Sequence, residues 1–573
     1  MIKKNKALLK KSPNLADYEK TYRSFAWSKV EKELDWFEGK RLNAAYNAID
    51  RNATNFRKNK VAMYWEGNQG EKKKFTFAEL AMLSSKFANV LKRLKIDRGE
   101  RVFFFLPRIP ELYWGFLGTL KRGAIAGTLF AAFGPQALLD RLDNSDARIL
   151  VTNEALLPRV LEIASKLRYL EKIILVDGES RSKKILSLNR LMKKAPEEYQ
   201  AAEMKPTEPA FMLYTSGTTG KPKGVVHTHQ AILHEHLTAK WVLDLRDEDV
   251  YWCTADPGWV TGIAYNILGS WSVGASSLVF EGRFDPETWY RLIDEYNVSV
   301  WYTAPTAIRM LAAGDQELLK KYNFSTLRHL ASVGEPLNPE AVWWGLKAFG
   351  LPFHDNWWQT ETGGILIANF PCLDIRPGSM GKPVPGVKAG IINDKGEELA
   401  QNEIGNLAIR PNWPSMMKKI WRRPKKYRSY FINDWYLSGD LAYRDKDGYF
   451  WFVGRADDVI KTAGERVGPF EVESALVSHP AVIEAGVIGK PDPMRGEIIK
   501  AFVVLAKNYQ PSEALKEKLQ KYVKSHLAGH AYPREIDFIK LLPKTRSGKI
   551  VRRFLKAQEL GLPVGDTSTL VKY

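Results

Sequence analysis

Residues 214–224 read YTSGTTGKPKG, and the fold is decided by how this stretch is understood. It holds three glycines (Gly217, Gly220, Gly224) and hydroxyls at Thr215, Ser216, Thr218 and Thr219, with Lys221 and Lys223 on either side of Pro222. Glycine lets the backbone turn tightly and approach a ligand closely. Exposed N–H groups and hydroxyls then donate to phosphate oxygens, and lysine adds a point charge. The apolar run at residues 210–213 predicts a buried strand before the loop, and residues 225–242 predict a helix after it. Strand, glycine-rich loop and helix together form a phosphate-holding arrangement. It is not a Walker A loop, because Pro222 follows Gly220-Lys221 where that motif needs a hydroxyl.

The 573 residues exceed what one core can hold, so several domains are expected. Hydrophobic content of 45% argues against wholesale disorder. Two cysteines, Cys253 and Cys372, do not make a disulfide framework and point to a reducing compartment. The basic N-terminal stretch lacks the apolar core of a secretory signal. The uncharged stretch at 123–139 is too short and too polar to span a membrane. A cytoplasmic protein is expected. The net charge of +20 invites a nucleic-acid reading, and residues 415–428 (SMMKKIWRRPKKYR) carry seven bases and no acid. No helix-turn-helix, zinc-finger or RNP signature accompanies that charge. Solvated lysine-rich faces, which also attract polyanions such as ATP and CoA, are the expectation.

From residue 61 onward, short apolar runs alternate with amphipathic stretches. Strands are predicted at 102–106, 149–151, 173–176 and 298–302, and helices at 110–121 and 337–349. Near-continuous apolar strands alternating with helices argue for parallel α/β sheets. Before residue 61, helical pieces are expected at 17–38 and 42–51. Residues 376–396, rich in Gly, Pro and Lys, predict turns and a smaller β-rich subdomain. After residue 457, strands at 482–488 and 501–505 and a helix at 512–527 predict a separate small domain. The expected architecture is an α/β N-terminal domain (1–456) built of α/β subdomains plus the β-rich one. A small, mobile α+β C-terminal domain (457–573) follows.

Four further blocks extend the reading: SVGEP at 332–336, DNWWQTETGG at 355–364, LSGDL at 437–441 with GYFWFVGRADD at 448–458, and PKTRSGKIVRR at 543–553. Together with 214–224 they resemble, in order, the motifs of the adenylate-forming superfamily. The similarity is greatest to the AMP-forming acetyl-CoA synthetases of the shorter bacterial and archaeal form; WCTADPGWVTG at 252–262, Trp357-Trp358 and 543–553 support that subgroup.

The resemblance implies a two-step reaction. Acetate attacks the α-phosphate of MgATP to give acetyl-AMP and pyrophosphate, and CoA then takes the acetyl group. It implies that Thr215, Ser216, Gly217, Thr218, Thr219, Gly220 and Lys223 bind the β- and γ-phosphates, and that Glu361 binds Mg²⁺. Gly334, Glu335, Pro336, Asp355, Asn356, Trp357, Gln359 and Thr360 would surround the nucleotide, with Asp440 on the ribose hydroxyls and Arg455 on ribose or phosphate. Arg466 would face the α-phosphate and Lys549 the charge that develops there, making Lys549, Glu361 and Arg466 the catalytic set. Val260, Thr261, Val333 and Trp358 would line an acyl pocket sized for acetate, and Ala304 and Gly464 the CoA channel. Asp457 would be the hinge. By resemblance, Lys549 is also a target for a lysine acetyltransferase and deacetylase. Asn356, where the family often has threonine, and Glu465, where larger members often have histidine, depart from the pattern. His479 matches either a turn histidine or a structural cation loop. Two alternatives stand beside this reading: a propionyl- or medium-chain acyl-CoA synthetase, and an inactive fold that binds nucleic acid.

Overall fold

The apolar runs become the inner strands of two sheets in a computed structural model. The structure describes residues 1–4, 8–180, 182–217, 220–462, 465–527, 531–544 and 550–564. The first sheet has eight strands, in the order Lys419–Ile420, Gly220–Thr228, Pro209–Gly217, Ile125–Phe130, Arg101–Leu106, Ile149–Thr152, Lys172–Leu175 and Ile185–Ser187. From Pro209–Gly217 to the last strand the pairing is parallel. Val102 to Leu106 are buried on both faces, as covering helices require. Each such side chain contributes roughly 1.5–3 kcal/mol of burial. The helix Pro110–Lys121 is where the sequence predicts it, opened by proline at its first position.

The second sheet has fourteen strands. Its parallel half runs Val61–Glu66, Ser276–Phe280, Val250–Cys253, Val300–Thr303, His329–Ser332 and Phe353–Trp357. The predicted β-rich part extends this same sheet in antiparallel fashion, through Ile367–Ala368, Ser379–Pro383, Phe450–Arg455, Trp435–Arg444, Gly405–Ile409 and Ala389–Ile392. One core, from Leu15 through Phe450, joins the two sheets.

Before residue 61 the described chain forms short helices: Tyr18–Ser24 and Trp27–Glu31 fall within the expected 17–38 stretch, and Tyr46–Asp50, running on into Arg51–Ala53, falls at the expected 42–51 piece. They strap the body: Tyr18 Oη donates to the Pro383 carbonyl at 2.7 Å, and Leu15, Val30 and Leu34 enter the common core.

A third sheet is separate. Glu465–Val467, Ile460–Thr462, Gly496–Leu505 and Val482–Asp492 line up in that order, with Glu535–Phe538 added to Gly496–Leu505. Its core of Ile460, Val472, Val487, Val503 and Leu519 is distinct from the others. The helix Glu513–His526 is capped by Ser512. Among the described residues no helix is long and apolar enough to cross a membrane.

One expectation is corrected. The stretch after the glycine-rich loop is a strand, Gly220–Thr228, which returns antiparallel to Pro209–Gly217; the helix, Ala231–Trp241, starts only after it. Val225 and Val226 are β-branched, and both are fully buried between neighbouring strands, so packing overrides the helical reading of 225–230. The glycine-rich stretch therefore lies between two antiparallel strands rather than between a strand and a helix.

Candidate active site

The strand ends decide which side chains meet. Thr303 pairs with Ser332, and Ser332 with Asp355, so Ala304, Val333 and Asn356 follow at the carboxyl ends of adjacent parallel strands. That edge is where ligands bind in open α/β sheets. The Gly334–Pro336 loop crosses it, and the Leu337 N–H donates to Asp355 Oδ2 at 3.3 Å. Glu335 is held there by Thr306 Oγ1 at 2.7 Å and by Arg309 at 2.9 Å.

The turn after Phe353–Trp357 carries Gln359 to Gly364. A second loop clamps it: Trp413 Nε1 and Ser415 Oγ both donate to the Thr362 carbonyl, and the Met417 N–H donates to the Glu361 carbonyl. Gly363 adopts φ +70°, and a Cβ there would meet the Ser415 carbonyl at 2.2 Å, so this position requires glycine. The clamp brings Glu361 to the hairpin. Lys223 Nζ stands 3.6 Å from Glu361 Oε1, with the two side chains 13% and 12% exposed. Tyr430 joins them, accepting from Lys223 Nζ at 2.6 Å and donating to Glu361 Oε1 at 3.0 Å. Burial lowers the pKa of the Lys223 ammonium, and the Glu361 charge opposes that shift. Thr215 Oγ1, at the base of the hairpin, is buried without a partner among the described residues.

A second polar group lies on the neighbouring strands. Asp440 and Arg455 are directly opposed in register, and Arg455 donates to Asp440 Oδ1 at 2.8 Å. The Asp440 charge raises the Arg455 pKa. Trp357 Nε1 at 2.8 Å and Gln359 Nε2 at 3.1 Å both donate to Asp440 Oδ2. Tyr436 Oη donates to Gln359 Oε1 at 2.9 Å, which ties this group to the Glu361 turn.

Beneath the strand ends lies an aromatic wall. Trp358 Nε1 donates to Tyr302 Oη at 3.3 Å, and Tyr302 Oη donates to Asn356 Oδ1 at 2.9 Å. Tyr265 meets the Trp358 ring edge-on at 5.1 Å. Val260 and Thr261 are buried at the start of the helical run that carries Tyr265, and Val333 is buried at its strand end. Tyr265, Tyr302, Tyr430 and Tyr436 carry no motif of their own, and the sequence reading missed them.

Asp355 is buried with Oδ1 unpartnered, and burial pushes its carboxyl up to about 8. The folded protein keeps this acid neutral between 3.8 and about 8, while the unfolded chain ionises it. Stability from this group is therefore fully present below 3.8 and is lost as the pH rises through 8. Asp355→Asn is expected to be more stable than the wild type at pH 8 than at pH 5, the melting-temperature difference widening by at least about 2 °C. Parallel melting-temperature curves for the two proteins would count against a neutral buried acid.

The remaining sequence-predicted residues divide cleanly. Thr218, Thr219, Gly464 and Lys549 lie outside the described residues. Ser216, Gly217, Gly220 and Arg466 lie on described strand backbone, with side chains outside the description. Thr360 is half-buried in the clamped turn, and Asp457 follows Arg455 in a half-exposed turn. The 415–428 cluster runs beside the glycine-rich hairpin: Lys419 and Ile420 pair with Val226 and Val225. His479 is a turn histidine, its Nδ1 accepting from the Ala481 N–H at 3.1 Å. No group of three or more metal-ligating side chains occurs among the described residues.

A sheet edge with a glycine-rich hairpin beside it, an acidic turn clamped under that hairpin and a detached C-terminal sheet define the class of adenylate-forming, AMP-binding enzymes. The sequence profile described as AMP-binding enzyme matches residues 49–421, and that of the AMP-binding enzyme C-terminal domain matches residues 471–549. The chain is 54% identical over 560 residues to the acetyl-coenzyme A synthetase of Bacillus subtilis (strain 168), covering 97% of each chain. It is 44% identical to that of Methanothrix thermoacetophila, covering 93% of this chain and 86% of the relative. Among solved structures, a Brucella canis acyl-CoA synthetase superposes with a TM-score of 0.74 at 35% identity, over 95% of this chain and 99% of its own. An anthranilate CoA ligase in complex with anthranoyl-AMP superposes with a TM-score of 0.84 at 33% identity, over 91% and 98%. The chain belongs to the AMP-binding enzymes and, within them, to the acetyl-coenzyme A synthetases.

Proposed function

We propose that this protein is an AMP-forming acetate:CoA ligase working through acetyl-AMP, with ATP and CoA as substrates. The observation that carries the reading is the approach of Lys223 to Glu361 under the hairpin, beside the Asp440–Arg455 pair. Distant parts of the chain converge there on the donors and acceptors that a nucleoside triphosphate needs.

The backbone and hydroxyls of Thr215 to Gly220, with Lys223, hold the β- and γ-phosphates. Asp440 meets the vicinal ribose hydroxyls first through Oδ1, which keeps a lone pair beside the Arg455 bond; Oδ2 is filled by Trp357 and Gln359, one of which must yield for the second hydroxyl. Gly334 to Pro336 and Asp355 to Trp357 enclose adenine.

The donor set suits magnesium. Glu361 offers a hard carboxylate whose Oε2 has no partner among the described residues. One carboxylate plus substrate phosphates is a usual magnesium environment. When bound, the ion neutralises phosphate charge and so favours departure of pyrophosphate. Acetate, seated against Trp358, attacks the α-phosphorus through a carboxylate oxygen while the bond to the β-phosphate breaks. Arg466 and Lys549 meet the charge that develops. The CoA thiol then attacks the acetyl carbon and AMP leaves, with Ala304 and Gly464 lining the thiol's approach.

The C-terminal domain, hinged at Asp457, delivers Lys549 for the first step and withdraws it for the second. Acetylation of Lys549 by a lysine acetyltransferase would remove that cation and silence the first step. A cytoplasmic location fits this chemistry.

The test is pyrophosphate release from MgATP with acetate, propionate, butyrate and octanoate, each with and without CoA. Turnover that is greatest with acetate and requires CoA is the expected result. A preference for the longer acids would retain adenylation and overturn the acetate assignment. Silence with every acid would overturn the ligase reading and favour the inactive, nucleic-acid-binding alternative.

A further inference from the structure

We propose that Tyr430 is a positioning residue of the phosphate site, its hydroxyl keeping Lys223 and Glu361 from neutralising each other before the nucleotide arrives. This rests on the ligase reading and adds to it a residue outside every motif quoted above.

The geometry is specific. Lys223 Nζ donates to Tyr430 Oη at 2.6 Å, and Tyr430 Oη donates to Glu361 Oε1 at 3.0 Å, while the ammonium and carboxylate stay 3.6 Å apart. A direct charge-assisted bond between lysine and glutamate closes to about 2.7–2.9 Å. Both partners would then be spent on each other. With the hydroxyl between them, Lys223 gives one of its three donors to a neutral oxygen and keeps two for phosphate. Glu361 accepts a neutral donor on one oxygen and keeps the other.

Tyr430 is also built to stay where it is. The short strand Phe431–Ile432 pairs with Trp435–Arg444, and the Leu437 N–H donates to the Tyr430 carbonyl at 2.7 Å. The Tyr430 ring stacks on Tyr436, with centroids 5.9 Å apart and an interplanar angle of 8°. Tyr436 Oη reaches Gln359, and Gln359 reaches Asp440. One connected set of side chains therefore spaces the phosphate-site pair and the Asp440 carboxylate. Lys426, from the basic cluster, lies 5.1 Å from the Tyr430 ring centroid and adds positive potential at the same place.

Tyr430→Phe removes both hydrogen bonds and keeps the stack. Acetate-dependent ATP–pyrophosphate exchange is expected to fall about 10- to 100-fold, the scale of a misplaced positioning contact. Thioester formation from supplied acetyl-AMP and CoA is expected to hold within about two-fold, which also reports an intact fold. Binding of inorganic pyrophosphate to the metal-free protein, followed by titration calorimetry, is expected to weaken about 10-fold as Lys223 closes onto Glu361. Equal loss of both half-reactions would make Tyr430 merely structural and overturn the inference, as would unchanged exchange and unchanged pyrophosphate affinity. Wild-type silence with every acid would strike the ligase reading instead, and the pyrophosphate titration would still decide the role of Tyr430.

Discussion

Lys549→Ala is expected to lower acetate-dependent pyrophosphate release by about 10²- to 10³-fold, the loss typical of removing one group that stabilises developing charge. Conversion of supplied acetyl-AMP and CoA to acetyl-CoA is expected to change by less than about three-fold, because in the proposed scheme the bond made in that step is at the acetyl carbon and Lys549 has been withdrawn from the site. The separation follows from where the loop is tied. Its two ends close on each other, with the Val551 N–H donating to the Pro543 carbonyl at 2.8 Å and Lys544 bridging to Ile550. Lys544 is paired with Glu484, and Leu542 and Leu555 pack on Ile488 and Phe502. Every one of these anchors belongs to the C-terminal sheet or its helices. Moving the loop against the nucleotide site therefore means moving that whole sheet. Arg455 is fastened to Asp440 on the N-terminal side, and the proposed hinge, Asp457, lies just beyond it. Measuring both half-reactions in the same preparation decides the matter. Equal losses would mean that Lys549 supports the fold or both steps, and alternation about Asp457 would lose its support.

The strands were legible because burial on both faces leaves little choice of residue. Val102 to Leu106 and Ile149 to Val151 could hardly belong to anything else, and the predicted helix at 110–121 matches its structure residue for residue. The hairpin was not legible. Val225 and Val226 fit a helix or a strand, and only the neighbouring strands Pro209–Gly217 and Lys419–Ile420 settle which. In the site, residues inside motifs were found from sequence: Lys223, Glu361, Asp440 and Arg455 do converge. The tyrosines between them were not. Tyr430 and Tyr436 matter through one hydroxyl each, and a hydroxyl's partner is set by tertiary placement, which no local spacing encodes. The nearest available signal was the basic run at 415–428. It was read as a solvated face, which its exposed lysines support, but its structural role is to bring Tyr430 to the hairpin.

Trp358→Gly is expected to move acid preference from acetate toward butyrate, changing the ratio of kcat/KM values by about 100-fold. Two terms add. With the indole present, the two extra methylenes of butyrate must displace packed atoms, at a cost of about 1–3 kcal/mol. With the indole removed, each buried methylene gains about 0.8 kcal/mol, or about 1.6 for the pair. The sum is about 3–5 kcal/mol at most, and imperfect filling of the new space brings it toward the expected ratio. The surrounding wall should survive the change. Trp358 is a donor to Tyr302 Oη, and that hydroxyl still has Asn356 Oδ1 to donate to once the indole is gone. Tyr265 keeps its own bonds, accepting from the Ile365 N–H at 2.8 Å and sharing a hydrogen with Thr238 Oγ1 at 2.8 Å. No buried polar group is orphaned, so the variant should fold with a vacancy rather than collapse. The measurement is kcat/KM for acetate, propionate, butyrate and hexanoate in wild type and variant, beside acetyl-AMP thiolysis as a check on the fold. Preference unchanged while thiolysis is intact would place Trp358 in the core and move the acyl pocket elsewhere along the strand ends.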